Sequence, residues 1–152
     1  MTNSPHGKAI LDLVLEILKT APKLQIKGDK LTQDIGLTSS RWWCLVHISE
    51  SDGGLTVADV ARRMNLQRQT VQRFVEALFN NEMIRYHDNP DHNFLRDSAT
   101  TEKGKEALVT IEERELQWAE GSATSIATED IQTAINTLTT LRDEITAQYG
   151  SR

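Results

Sequence analysis

The chain has 152 residues, a single cysteine, three tryptophans and a formal net charge of -5. That length holds one domain with a real core, or a smaller domain with a dimerising extension, and one cysteine excludes an intramolecular disulfide. The longest apolar stretch, residues 9–18, is interrupted by Asp12 and Glu16, so it neither spans a membrane nor serves as a secretory core; a cytoplasmic protein with no membrane partner is expected.

Ser4-Pro5 opens a helix in which Ile10, Leu13, Val14, Ile17 and Leu18 recur at a 3.6-residue period, widened by Leu11 and Leu15. Pro22 is expected to end or kink it, because proline lacks the N–H that the ladder needs. Residues 24–35 resume with weaker periodicity, loosened by Gly28. Gly36-Leu37 reads as a stop, and Thr38 as the N-cap of a helix over 39–49. Trp42, Leu45, Val46 and Ser49 share one face of that helix; Trp43 and His47 share another. Residues 51–54, Ser-Asp-Gly-Gly, are turn chemistry.

Thr56-Val57-Ala58-Asp59 reads as a capping box with Asp in the place of Glu. Val57, Val60, Ala61 and Met64 then form the buried stripe of a short helix. Asn65-Leu66 makes a turn, with Leu66 expected to plug the angle to the next helix. That helix buries Val71, Phe74, Val75 and Leu78, and shows Gln69, Thr70, Gln72, Arg73 and Glu76 to solvent. Two short helices, a tight turn and a polar, basic second helix are the layout of a helix-turn-helix, which places side chains in the DNA major groove. The charge follows the same division. Residues 56–87 hold five basic side chains, all arginine (Arg62, Arg63, Arg68, Arg73 and Arg85), against three acidic ones, whereas residues 102–152 hold five against ten. Binding DNA requires a local basic face rather than a basic protein; an ordinary solvated charge pattern is the alternative.

Residues 83–87 have strand character, Asp88-Asn89-Pro90-Asp91 is a turn, and the chain from Phe94 returns as a second strand, although that arm is short of β-branched apolar residues. Together they make the hairpin "wing" of a winged helix. Thr101 caps a long helix over 102–125 with Leu108, Ile111, Leu116 and Trp118 as apolar members, and Gly121-Ser122 as a place to fray or bend. Thr128 caps the last helix, whose stripe is Ile131, Ile135, Leu138, Leu141, Ile145 and Tyr149. A winged-helix core cannot also bury the first helix and the last two, so their stripes need another surface, and a second copy of the chain is the expected source.

Arg68, Gln69, Thr70, Gln72 and Arg73 are candidate DNA contacts, because Gln and Arg can each make two hydrogen bonds to base edges. Gln69 and Arg73, one turn apart, are expected at bases, Arg68 and Thr70 at phosphates or base edges, and Arg62 and Arg63 at the backbone. A plain solvated face is the other reading. His87, Asp88, Asp91 and His92 crowd one hairpin with ligand types that suit zinc, but turn residues of this kind are more often solvated, and neither a metal nor a cofactor is expected. Cys44 follows two tryptophans inside a helix with only Arg41 as a cationic neighbour, so a buried, inert thiol is expected rather than a peroxide sensor. No phosphate-cradling glycine loop or recognisable Ser/His/Asp set appears, and paired carboxylates such as Glu112-Glu113 read as a solvated helix; enzyme activity is not expected.

In their order and spacing these segments resemble the MarR family of bacterial transcription regulators over nearly the whole chain. Gly36-Leu37-Thr38-Ser39-Ser40-Arg41-Trp42 resembles the family's entry into its second helix, residues 56–64 its first helix-turn-helix helix, and residues 68–73 its recognition helix. Asn89-Pro90-Asp91-His92 resembles the wing tip of one subgroup, and Thr101-Glu102-Lys103-Gly104 the start of the fifth main helix. The resemblance implies a mainly α fold in one domain over 1–152: a winged helix-turn-helix over 38–101 with a small β-hairpin wing, and long N- and C-terminal dimerisation helices over 5–35 and 102–150. It implies a homodimer on a pseudo-palindromic double-stranded DNA operator, and a repressor released by a small-molecule effector or by oxidation. Family effectors often bind near the 39–49 helix, which makes Trp43 and His47 the effector-pocket candidates; core or dimer packing is the other reading of both.

The chain departs from the family twice. The subgroup continues its wing tip with two arginines where this chain has Asn93 and Phe94, leaving Arg96 as the wing's DNA-contact candidate. Glu82 stands where the family usually closes the recognition helix with glycine, so a strained backbone or another terminus is expected. Acidic net charge and the missing wing arginines keep a rival open: a winged-helix protein-interaction module that has lost DNA binding. A small helical enzyme or ligand carrier is a second.

Overall fold

The computed structural model describes residues 4–51, 55–87 and 97–150. In chain order these form α1 (Pro5–Thr32), a short 3-10 turn (Gln33–Ile35), α2 (Ser39–Ser49), α3 (Val57–Met64), α4 (Arg68–Asn80), β1 (Ile84–His87), β2 (Asp97–Thr100), α5 (Glu102–Gly121) and α6 (Thr128–Tyr149). The mainly α winged helix-turn-helix expected from the sequence is the fold observed.

Helix α1 is longer than its periodicity suggests. Ser4 caps it, accepting from the Gly7 N–H at 3.0 Å, and the helix runs through Pro22 without a break. Of the two outcomes expected of Pro22, an end to the helix is overturned: one missing ladder bond is outweighed by the helical turns on either side. Gly28 also has a different role from the loosening expected of it. It is buried, and a Cβ there would lie 2.7 Å from Cβ of Ser39, so the missing side chain lets α1 and α2 touch at their backbones. Asp29 Oδ1 accepts from the Ser39 N–H at 2.7 Å at the same crossing. Thr32, fully buried, donates its hydroxyl to the Leu37 carbonyl at 3.0 Å, and Gly36 turns the chain in the left-handed region at φ 78°. The predicted stop at Gly36-Leu37 is thereby realised.

The core forms where α2, α3, α4 and α5 meet the short sheet. Leu45 and Ile48 from α2, Val60 from α3 and Ile111 from α5 are sealed from solvent, as are Val71, Val75 and Leu78 from α4. Strands β1 and β2 pair antiparallel, Ile84 opposite Thr100 and Arg85 opposite Ala99. Leu55 forms an isolated bridge to β2 by exchanging both backbone hydrogen bonds with Ser98, at 3.1 and 2.9 Å. Thr101 caps α5 through the Gly104 N–H at 3.1 Å, as expected, but α5 ends at Gly121 rather than 125. The N-cap of α6 is Ala127, not Thr128, and no side chain caps that helix.

Glu82 adopts φ 60°. Its N–H donates to the Phe79 carbonyl at 2.9 Å, and the Met83 N–H reaches back to Leu78 at 2.9 Å. This is the paired closure that a left-handed glycine normally provides. The strained-backbone alternative is therefore the one realised. A non-glycine residue there costs about 1–2 kcal/mol, partly offset by the roughly 0.5–1 kcal/mol that glycine's extra freedom would cost on folding. The exposed Lys103–Glu82 pair at 3.4 Å adds little against this. Glu82→Gly is expected to raise stability by about 0.5–1 kcal/mol. It should appear as a higher urea midpoint at unchanged slope; a lower midpoint refutes the strain.

Helix α6 buries none of its residues; Ile131, Ile135, Leu138 and Ile145 are each more than 40% exposed. Leu11, Leu15 and Leu18 of α1 are likewise open. Among the described residues no helix is long and apolar enough to cross a membrane.

Candidate nucleic-acid interface

The capping box at the start of α3 is complete. Thr56 Oγ1 accepts from the Asp59 N–H at 3.2 Å, and the Asp59 carboxylate accepts from the Thr56 N–H at 3.2 Å and its hydroxyl at 2.6 Å. The Thr56 hydroxyl bond, first among several, holds the Asp59 carboxyl below its ordinary pKa. Asn65 closes α3 in the left-handed region at φ 53°, which asparagine tolerates better than most residues. Its N–H bonds the Arg62 carbonyl at 3.2 Å, and the Leu66 N–H bonds Ala61 at 3.0 Å. Leu66 does not plug the helix angle as expected. It is 40% exposed and, with Arg62, Arg68 and Thr70, lines an open groove of about 580 Å³ between α3 and α4. The backbone turn at Asn65, together with Val60, Ala61 and Val71, already closes that corner.

Helix α4 divides by face. Val71, Val75 and Leu78 are sealed and Phe74 is half-buried against them, whereas Arg68, Gln69 and Arg73 are exposed and Thr70 and Gln72 half-exposed. Gln67 N-caps α4 through its backbone alone, with no side-chain bond. Gln72 Nε2 donates to Glu76 Oε1 at 2.8 Å, whereas Arg68 and Arg73 make no ion pair among the described residues. Arg63 is also exposed and unpaired there, but Arg62 is held by Asp59 one turn earlier. Of the candidate contacts, Arg62, Arg68 and Thr70 share the groove between α3 and α4, and Arg63, Gln69 and Arg73 are exposed on the same two helices. Arg96 lies outside the described residues, as do Asp88, Asp91 and His92 of the hairpin whose residue types suit zinc. Among the described residues no group of three His, Cys, Asp or Glu is placed to hold a metal ion.

Trp43 is 49% exposed on α2, edge-on to Trp42 at 6.1 Å and to His47 at 5.1 Å between ring centroids. Trp42, Trp43 and Val46 from α2 face Leu108, Glu112 and Glu115 from α5 across a groove of about 520 Å³. His47 is not part of its lining. Its side chain is 16% exposed, Nδ1 stands 3.9 Å from Glu50, and Nε2 is enclosed without a hydrogen-bond partner among the described residues. Burial lowers its pKa against the opposing pull of Glu50, so the ring is neutral at pH 7. The α5 half of this groove was missed because Glu112 reads as solvated helix by its local pattern, and nothing local pairs it with residue 43. Trp118 does more than pack: Lys27 Nζ sits 4.1 Å over its ring while pairing with Glu115.

Cys44 is fully enclosed, and desolvation pushes its thiol up to about 12, leaving no reactive thiolate near neutrality. The native protein is expected to resist Ellman's reagent until unfolded in denaturant. Stoichiometric labelling within seconds under native conditions would contradict this burial.

A helix-turn-helix whose second helix presents an open arginine–glutamine ridge, with a two-stranded hairpin after it, defines a winged-helix protein. Residues 35–92 match the family model described as MarR family. Uncharacterized proteins of Mycobacterium tuberculosis and Mycobacterium bovis are 34% identical over 107 residues, covering 70% of this chain and 73% of theirs. Among solved structures, the transcriptional regulator SlyA superposes with a TM-score of 0.80 at 19% identity, covering 90% of this chain and 96% of that one. Staphylococcus aureus MarR, solved with salicylate and kanamycin, gives 0.79 at 15% identity, covering 97% and 99%. The S. aureus MepR–DNA complex gives 0.76 at 14%, covering 86% and 96%. The chain belongs to the MarR family of winged helix-turn-helix transcription regulators, a family of transcription factors rather than enzymes.

Proposed function

We propose that this protein is a sequence-specific, double-stranded DNA-binding repressor that acts as a homodimer and is released by a small-molecule effector. The observation that carries the reading is the ridge of Arg68, Gln69 and Arg73, which points outward from α4 while its arginines have no ion-pair partner among the described residues. Gln69 and Arg73 approach bases in the major groove, with Thr70 and Gln72 beside them; Arg62, Arg63 and Arg68 hold phosphates, and Arg96 extends the footprint from the wing. The DNA complex of MepR, of the same fold, supports DNA as the partner.

The second copy follows from the uncovered helices. The stripes of α1 and α6 are too apolar to stand in water alone. The threonines of α6 belong with them. Thr133, Thr137, Thr140 and Thr146 each donate their hydroxyl to the carbonyl four residues back, at 2.8–3.0 Å, which satisfies the hydroxyls within the helix. Residues 5–35 and 102–150 thus form the dimerisation part and 38–101 the DNA-binding part of one domain. A dimer presents two recognition helices to successive major grooves about 34–36 Å apart on a pseudo-palindromic operator. The effector binds in the groove at Trp43, with His47 behind it, where α2 joins the dimerisation helices to the helix-turn-helix. The complex of S. aureus MarR with salicylate supports a ligand in such a fold.

The net charge of -5 favours a second reading, a winged-helix module that binds protein and has lost DNA. Selection of duplexes from a random pool, followed by titration across salt, separates the two. An enriched pseudo-palindrome whose affinity falls steeply with salt supports the regulator; no enrichment at low ionic strength removes it.

A further inference from the structure

We propose that the groove between α2 and α5 takes a cationic ligand with an aromatic or apolar body, and that this is the chemical class of the effector. This rests on the reading of the protein as ligand-responsive, and goes further by assigning the ligand's charge. The groove's volume, about 520 Å³, lies within the range of roughly 300–1,000 Å³ typical of small-molecule pockets. Trp42, Trp43, Val46 and Leu108 supply its apolar wall. The two indoles stand at 67° to one another, so they offer faces in two directions, and nearly half of Trp43 is left to solvent.

The charged side chains of the lining are all carboxylates: Glu50, Glu112 and Glu115. Among the described residues no lysine or arginine lines the groove. Lys27, which pairs with the lining residue Glu115 through Oε2, is also engaged by the Trp118 ring. Glu115 Oε1 is enclosed and has no hydrogen-bond partner among the described residues. An anion entering here would lose water and meet like charge on two helices. A cation would meet indole faces, whose quadrupole attracts positive charge, and carboxylates with unused acceptor capacity. A hard metal ion would use the carboxylates but gain nothing from the rings. The wall is also well placed to report occupancy, because Trp42 lines the groove while packing against the core that Leu45 and Ile48 enter from the same helix.

The test is calorimetric titration, with tryptophan fluorescence alongside, of three probes: tetraphenylphosphonium (cation), triphenylphosphine oxide (neutral) and salicylate (anion). The cation is expected to bind at least tenfold more tightly than either of the others. Glu112→Gln and Trp43→Ala should each weaken it tenfold or more, with folding verified by thermal melting. Oxide or salicylate binding as tightly as the cation overturns the proposal, as does unchanged cation affinity in Glu112→Gln. Should a neutral or anionic probe bind, depend on Trp43 and release duplex, the effector site stands and the charge assignment falls. If none of the three binds, both fall.

Discussion

Arg73→Ala is expected to weaken binding to the selected duplex by about ten- to a hundredfold and to relax base preference at the position it reads, since one bidentate side chain–base contact is worth roughly 1–3 kcal/mol of discrimination. In the proposed dimer both protomers carry the change, so the larger value is the more reasonable target. Arg73 is exposed at the middle of α4, one turn from Gln69 and without an ion-pair partner among the described residues, so its removal leaves the core untouched. Arg63→Ala provides the contrast. Loss of a phosphate contact should weaken all sequences alike and flatten the dependence of affinity on salt. Fluorescence anisotropy with cognate and scrambled duplexes distinguishes the two effects. Arg73→Ala that keeps both affinity and preference would remove the ridge from the interface.

The second large effect concerns folding. Gly104 lies in the first turn of α5, where a Cβ would overlap the Met83 carbonyl oxygen and stand 2.8 Å from Thr100 Cγ2. The obstacle is backbone, and it is fixed from both sides. The Met83 carbonyl accepts the Thr101 N–H at 3.0 Å, and the Met83 N–H closes α4 at 2.9 Å. Overpacking usually costs about 1–3 kcal/mol, and with no flexible side chain to yield, Gly104→Ala belongs at or above the top of that range. The melting temperature should fall by roughly 6–12 °C, at about 2–4 °C per kcal/mol for a chain of this size. An unchanged melting curve would mean that α5 does not approach β1 as described.

Much of this fold was legible because its signals are local. The Thr56–Asp59 capping box, the Gly36 stop and the period of α4 each lie within one or two turns of chain, and each is found where the sequence places it. What was missed depends on partners far along the chain. Pro22 looks like a terminus until α1 is seen to continue as one long helix. Gly28 looks like a weak point until Ser39 is found against it. Leu66, an isolated leucine after a turn, has no local mark that distinguishes a plug from an open groove wall. The recognition ridge could be named because helical spacing sorts α4 into two faces. The α5 half of the groove at Trp43 could not, because Glu112 meets Trp43 only through the packing of two helices. Arg114, which clasps Asp34 with two hydrogen bonds of 2.7 Å, was invisible for the same reason.

The crossing at Gly28 constrains how α1 and α2 can move against one another. The α1 backbone at Gly28 sits against the Ser39 side chain, and Asp29 holds the Ser39 N–H, so sliding α1 along the start of α2 would drive Ser39 into helix backbone and break that bond. Lengthwise displacement of the N-terminal arm must therefore drag α2 along. Rotation at the crossing meets neither obstacle, so a modest turn there becomes a larger excursion at the far end of α2.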